Sequence, residues 1–122
     1  MAKKSNKKVK KKKPIHKKIV AGILWKRISV GMPLQLDSTV NYATGKSDPG
    51  VSIKDSKIDS PYNTYKYKGL PKGPIANPGI DSITAAMHPK KTGFWYYMTD
   101  GRTIFSETFA QHQAAIYNHL SQ

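Results

Sequence analysis

Pro61-Tyr62-Asn63-Thr64-Tyr65-Lys66-Tyr67-Lys68-Gly69-Leu70-Pro71-Lys72-Gly73-Pro74-Ile75-Ala76-Asn77-Pro78-Gly79-Ile80 is the stretch that decides the fold. It holds four prolines and three glycines. Each proline fixes φ and removes a backbone donor, so neither a regular helix nor a central strand runs through most of it. The reading is an ordered, extended loop with several fixed backbone angles. Such loops carry function when a rigid scaffold holds them.

The flanks supply that scaffold. Ile19, Val20, Ile23, Leu24 and Ile28 lie on one face of a helix predicted from about Lys17 to Val30. Lys26 and Arg27 fall on its other side, and Gly31 and Pro33 end it. Pro14 breaks any helix begun further upstream. Asp37 or Ser38 is placed to cap a short helix through Tyr42. Residues 45–60 read as an exposed polar loop with a turn of helix over Ser56–Ser60. Asp81 is expected to cap a helix over Ser82–His88, ended by Pro89. Phe94–Met98 reads as a strand, Asp100-Gly101 as a hairpin turn, and Thr103–Phe105 as the returning strand. Thr108 and Gln111 have the spacing of a capping box, opening a helix to about Leu120. Its stripe would be Phe109, Gln113, Ile116 and Leu120. The sum is an α+β fold: a small single domain with helices packed around a short antiparallel hairpin, plus the long Pro/Gly-rich loop. No internal repeat is visible.

The charge is uneven. The 122 residues carry 21 Lys+Arg and 7 Asp+Glu, a formal net charge of +14. Residues 1–18 hold ten of the lysines and no acid, a segment expected to be disordered or loosely helical. Residues 19–122 are thus close to ordinary in charge. With no cysteine, disulfides, thiolate zinc sites and Cys nucleophiles are excluded. The longest apolar run, Ile19 to Trp25, is far short of the ~20 residues that span a bilayer. Lys26-Arg27 follows it where a signal peptide would place small residues, which argues against a leader.

Gly31-Met32-Pro33-Leu34-Gln35-Leu36-Asp37-Ser38-Thr39-Val40-Asn41-Tyr42 resembles the signature of the endolytic murein transglycosylases, the YceG-like family. The resemblance continues in register through Ser60-Pro61-Tyr62-Asn63-Thr64-Tyr65 and through Gly69 to Gly79. It closes with Ala85-Ala86-Met87-His88-Pro89 and with Phe105-Ser106 before the His112 helix. Linked motifs in order over about residues 19–120 are far more specific than any single short pattern. The resemblance implies cleavage of peptidoglycan glycan strands between N-acetylmuramic acid and N-acetylglucosamine, leaving 1,6-anhydro ends. It implies one glutamate acting as acid and then base. It also implies an N-terminal membrane anchor facing the cell wall and a LysM-type module before the catalytic core. No cofactor or metal is implied.

One departure bears on activity. The family's catalytic glutamate lies upstream of the Gly31 motif, on ground that falls here near Lys8–Lys10 and contains no acid. The one glutamate, Glu107, matches no catalytic position of the family. Neither the anchor nor the LysM-type module is recognisable. The chain is therefore expected to be the C-terminal part of such a catalytic domain (residues 19–122) behind a foreign basic tail (1–18), truncated or inactive, with no catalytic residue assigned.

Protonating a glycosidic oxygen takes a carboxylic acid with a raised pKa in a water-poor pocket. Asp37 is the carboxyl best placed for a site role, although helix capping explains it as well. Asp81 and Asp100 read as cap and turn residues, and Asp55 and Asp59 as a solvated loop face. Tyr62, Asn63, Thr64 and Tyr65 either line a sugar groove or brace the loop. Gln35, Thr39 and Tyr42 share the matching segment, and Asn77 sits in an Asn-Pro-Gly turn. These nine residues are the candidate substrate contacts. Aromatic faces stack on pyranose rings, while amides and hydroxyls reach sugar hydroxyls and N-acetyl groups. His112 and His119 share a helix face but make no metal motif, and read as surface residues. Trp25 and Trp95 read as core or core-edge.

Two classes of function compete. One is a glycan-processing domain with peptidoglycan strands as its partner, its uncovered apolar surface favouring self-association. The other is polyanion binding, to nucleic acid or acidic lipid, through Lys7, Lys8, Lys10, Lys11, Lys12 and Lys13. Lys66 and Lys68 interleaved with Tyr65 and Tyr67 lend the second slight support.

Overall fold

The structure is a computed structural model that describes residues 14–47, 50–99 and 102–120. The lysines at 7, 8 and 10–13 proposed for polyanion contact, and the Asp100-Gly101 turn, lie outside the described residues. The elements are α1 (Pro14–Val30), α2 (Asp37–Thr44), a 3-10 turn (Asp55–Lys57), α3 (Ile80–Met87), β1 (Tyr96–Thr99), β2 (Thr103–Ser106) and α4 (Phe109–Leu120). None of the described helices is long and apolar enough to cross a membrane. The α+β class stands: helices and one two-stranded antiparallel sheet.

The chain packs as two units, Met1–Ile23 with Pro78–Gln122, and Leu24–Asn77. In the first unit the hairpin pairs Tyr96 with Ser106 and Thr99 with Thr103. Trp95 N–H extends the ladder by donating to Ser106 O at 3.0 Å. α4 lies on the hairpin through Tyr96, whose ring stacks on His112 at 5.2 Å and meets Phe109 at 5.7 Å. Phe94 stacks on Phe105 at 5.3 Å, and His16 of α1 meets Phe105 edge-on. His112 is therefore half-buried packing rather than a surface residue. On α4, His112 stacks on the sheet residue Tyr96 and Ile116 is half-buried, while Gln113 is exposed. The start of α4 follows the expected capping box: Gln111 N–H donates to Thr108 Oγ1 at 3.1 Å, and Gln111 Oε1 accepts from the N–H groups of Glu107 and Thr108.

α1 is described from Pro14 and covers the span from Lys17 to Val30 that the apolar pattern predicts. It ends in a Schellman arrangement, with Gly31 at φ 74°, Gly31 N–H on Ile28 O and Met32 N–H on Arg27 O. Asp81 does not cap α3. Gly79 takes that position, and Asp81 sits in the first turn, where its charge complements the helix dipole. Likewise Leu36 precedes α2 without a side-chain cap, and Asp37 is inside the first turn. The predicted turn at Ser56–Ser60 is centred slightly earlier, on Asp55–Lys57.

In the second unit, Leu34 and Val40 are buried. Arg27 is 5% exposed, against the expectation of an outward cation. Its Nη1 donates to Pro33 O at 3.0 Å and Leu34 O at 3.2 Å. The guanidinium thus folds the chain back after α1 by satisfying carbonyls that no helix or strand partners. Trp25, read as core, is nearly half exposed, the reverse of its neighbour two residues on.

Candidate functional site

Residues 34–42 and 60–75 of the second unit form the site, and Thr64 joins them. Leu36 N–H donates to Thr64 Oγ1 at 2.8 Å, Thr64 Oγ1 and Thr39 Oγ1 lie 2.9 Å apart, and Thr39 Oγ1 donates to Leu36 O at 3.0 Å. Each hydroxyl has one proton. The Leu36 amide gives to Thr64, the two hydroxyls share one bond, and the Leu36 carbonyl accepts within reach of both, Thr39 at 3.0 Å and Thr64 at 3.3 Å. Gln35 N–H adds a bond to Thr64 O at 3.1 Å. Thr39 and Thr64 are 2% and 1% exposed, so low dielectric strengthens these bonds.

Asn63 is fully buried beside it. Its amide nitrogen donates to Ser56 O at 3.1 Å and Ile58 O at 2.8 Å, and its amide oxygen accepts from Tyr65 N–H at 3.0 Å. This one side chain ties the 3-10 turn to the proline-rich loop. Asn63, Thr64 and Thr39 are buried, and their polar side-chain atoms take part in these hydrogen bonds.

What the brace presents outward is aromatic and acidic. The Tyr65 hydroxyl donates to Asp37 Oδ1. The rings of Tyr42 and Tyr62 meet at 4.9 Å, tilted by 47°, with Tyr42 about half exposed. A Cβ on Gly73 would sit 3.3 Å from the Tyr62 hydroxyl, so that glycine lets the loop backbone close against the ring. Gln35 is exposed at φ 54°, the left-handed region that a glutamine rarely adopts. Its two flanking backbone bonds to Thr64 hold it there, a placement typical of functional loops. Asp37 thus meets Tyr65 and Tyr42 meets Tyr62, while Gln35 is tied to Thr64 through its backbone. Asn77 is exposed, and no hydrogen bond or ring contact among the described residues joins it to them.

A second tyrosine–aspartate pair lies on the same loop. Tyr67 donates to Asp59 Oδ1, and Lys66 Nζ is 3.5 Å from the same oxygen. The Tyr67 hydrogen bond and then the Lys66 charge hold the Asp59 carboxyl below its ordinary value. The same bond raises the Tyr67 hydroxyl. Lys46 donates to Asp55 at 2.6 Å and lowers that carboxyl in the same way. A shallow groove of about 330 Å³ is lined by Asp59, Pro61, Tyr67, Leu70 and Lys72. Among the described residues no three His, Asp or Glu side chains converge on a point that would hold a metal.

This geometry is that of a rigid loop carrying a tyrosine-walled, acid-edged surface, and comparison with known proteins gives it a family. The profile of the YceG-like family matches residues 10–118. The chain belongs to the YceG-like family. It is 45% identical over 104 residues to the endolytic murein transglycosylase of Bacillus subtilis, covering 84% of this chain and 29% of that protein. It is 31% identical over 113 residues to the endolytic murein transglycosylase of Streptococcus pneumoniae D39, covering 86% and 20%. The crystal structure of a YceG-like protein from Listeria monocytogenes superimposes with a TM-score of 0.76 at 40% identity, over 80% of this chain and 33% of that one. The chain thus spans between a fifth and a third of the length of these relatives.

Proposed function

We propose that this chain carries a glycan-gripping part of a peptidoglycan lytic transglycosylase, a class that cleaves between N-acetylmuramic acid and N-acetylglucosamine to leave 1,6-anhydro ends. The observation that carries the reading is the Tyr42–Tyr62 ring pair with the Asp37–Tyr65 pair, on a loop locked by the threonine cluster. Tyrosine faces offer stacking surfaces to pyranose rings. The Asp37 carboxylate and the Gln35 amide are suited to sugar hydroxyl and N-acetyl N–H groups. The sequence identity to endolytic murein transglycosylases supports the same substrate class.

Binding and bond cleavage are separable here. Glycosidic cleavage needs a carboxylic acid free to give up a proton at the leaving oxygen. The described aspartates of the second unit are each already engaged: Asp37 by Tyr65, Asp55 by Lys46 and Asp59 by Tyr67. The expected behaviour of this chain alone is glycan binding without turnover. Incubation with purified peptidoglycan and mass spectrometry of the soluble products tests this. Appearance of 1,6-anhydro muropeptides would overturn the absence of turnover. For binding, Tyr42→Ala is expected to weaken affinity for soluble glycan strands by roughly three- to tenfold, the scale of one lost aromatic contact. An unchanged affinity would remove Tyr42 from the site.

A further inference from the structure

Lys90 N–H donates to Lys18 O at 3.0 Å, and a Cβ on Gly22 would come within 2.1 Å of Lys90 O. This close approach brings Lys17-Lys18 of α1 and Lys90-Lys91 of the segment after α3 to one locus of the first unit. Lys90 and Lys91 are exposed, and Lys17 and Lys18 are half-buried. Among the described residues the ion pairs are Lys46–Asp55 and Lys66–Asp59, so no carboxylate there pairs with any of these four cations. Glu107 approaches the backbone at Gly93, two residues beyond Lys91, without pairing with it. The same locus is bordered by apolar surface. Ile80, Ile83 and Met87 share one stripe of α3 and are 74%, 42% and 69% exposed. Met87 precedes Lys90 by three residues, a reach of at most ~11 Å. An open apolar stripe thus runs out at a cluster of four cations.

We infer that this surface rests on an anionic lipid bilayer. The ammonium groups of Lys17, Lys18, Lys90 and Lys91 meet headgroup phosphates, and Ile80, Ile83 and Met87 enter the boundary between headgroups and acyl chains. With 8 residues, α3 is ~12 Å long. It therefore lies at the interface instead of spanning the ~30 Å hydrocarbon core. The argument is complementarity of charge and of apolar surface together. A soluble polyanion answers the lysines but leaves the α3 stripe in water. A second copy docked through the same patch would set lysines against lysines. A bilayer with anionic headgroups over an apolar layer answers both features. The surface belongs to the first unit and Tyr42 and Tyr62 to the second, so the inference does not rest on the glycan reading.

Co-sedimentation of the full chain with vesicles at physiological salt tests this. One set of vesicles is phosphatidylcholine mixed with phosphatidylglycerol, and the other is phosphatidylcholine alone. Binding to the first set only is expected. Lys90→Glu with Lys91→Glu should weaken it by roughly tenfold or more, given the attraction of each lysine to an anionic surface. Lys54→Glu with Lys57→Glu makes the same charge change at exposed positions of the second unit. That pair should weaken binding by less than about threefold, because salt screens charges remote from the contact. Ile80→Ser with Met87→Ser leaves the charge unaltered and should weaken binding roughly three- to tenfold through lost apolar contact. Lys90→Gln with Lys91→Gln provides the charge readout if the glutamate pair folds poorly. Equal losses from the two glutamate pairs would mean that total charge, the lysine-rich residues 1–13 included, drives binding, and would overturn the patch. Serine variants that bind as the parent does, in a complex that heparin fully displaces, would assign the lysines to a soluble polyanion and overturn the lipid reading. Failure to bind the anionic vesicles would overturn it outright.

Discussion

At the scale of single residues, buried side chains hold the loop in place. Thr39 and Thr64 close a hydrogen-bonded cluster with the Leu36 backbone, and Asn63 satisfies three backbone groups at once. Removing one hydroxyl from such a cluster leaves buried partners unsatisfied, which costs more than the bond itself contributes. Thr64→Val, which keeps the shape, is expected to lower unfolding stability by about 1–3 kcal/mol. Urea titration reads the loss, and a cost within error of zero would mean that water replaces the hydroxyl. The outer pair makes a different prediction. Because the folded-state pKa of Asp59 is depressed, its contribution to stability is present above the ordinary value of 3.8 and is lost as pH falls through the depressed one. Tyr67→Phe removes the largest cause, so the Asp59 carboxyl should titrate closer to 3.8, with Lys66 still holding it somewhat low. Carbon-detected NMR titration of that carboxyl follows the change. An unmoved titration would show that Lys66 sets the charge state.

At the scale of elements, Gly22 shows a tertiary constraint overriding propensity. It lies inside α1, where alanine is the better helix former by about 1 kcal/mol. Yet a Cβ there would come within 2.1 Å of Lys90 O, and Lys90 N–H donates to Lys18 O at 3.0 Å. The segment after α3 thus rests directly on the α1 backbone. Gly22→Ala is expected to destabilise by roughly 1–3 kcal/mol, overpacking exceeding the propensity gain. A higher melting temperature would contradict the close approach. Nothing in the sequence around Gly22 announces this, because the partner is 68 residues away. Signals that are local were legible: the Gly31 stop of α1, the Thr108–Gln111 box, the hairpin strands and the proline-rich loop. The direction in which Arg27 points was not, since its partners are carbonyls of a loop that exists only once the chain has turned. Site residues split the same way. Residue type and spacing marked 62–65 as important, but only packing separates buried Asn63 and Thr64 from half-buried Tyr62 and Tyr65.

For the whole molecule, the contrast between covered and uncovered apolar side chains sets the stability. Among the described residues, the apolar side chains that are fully or nearly fully buried are Ile23, Leu34, Val40 and Ala85. Against them, Ile80, Ile83 and Met87 are 74%, 42% and 69% exposed along one stripe of α3. A buried isoleucine loses its transfer free energy and leaves a cavity when truncated, whereas an exposed one loses almost nothing. Ile23→Ala should therefore cost about 2–5 kcal/mol. Ile80→Ser and Met87→Ser should each cost less than ~0.5 kcal/mol. Denaturant melts at low and high protein concentration check both statements. Where the α3 stripe is open to water, the serine variants match the parent at every concentration. A serine penalty that grows with protein concentration would instead mean that a second copy covers the stripe, since association adds stability by mass action.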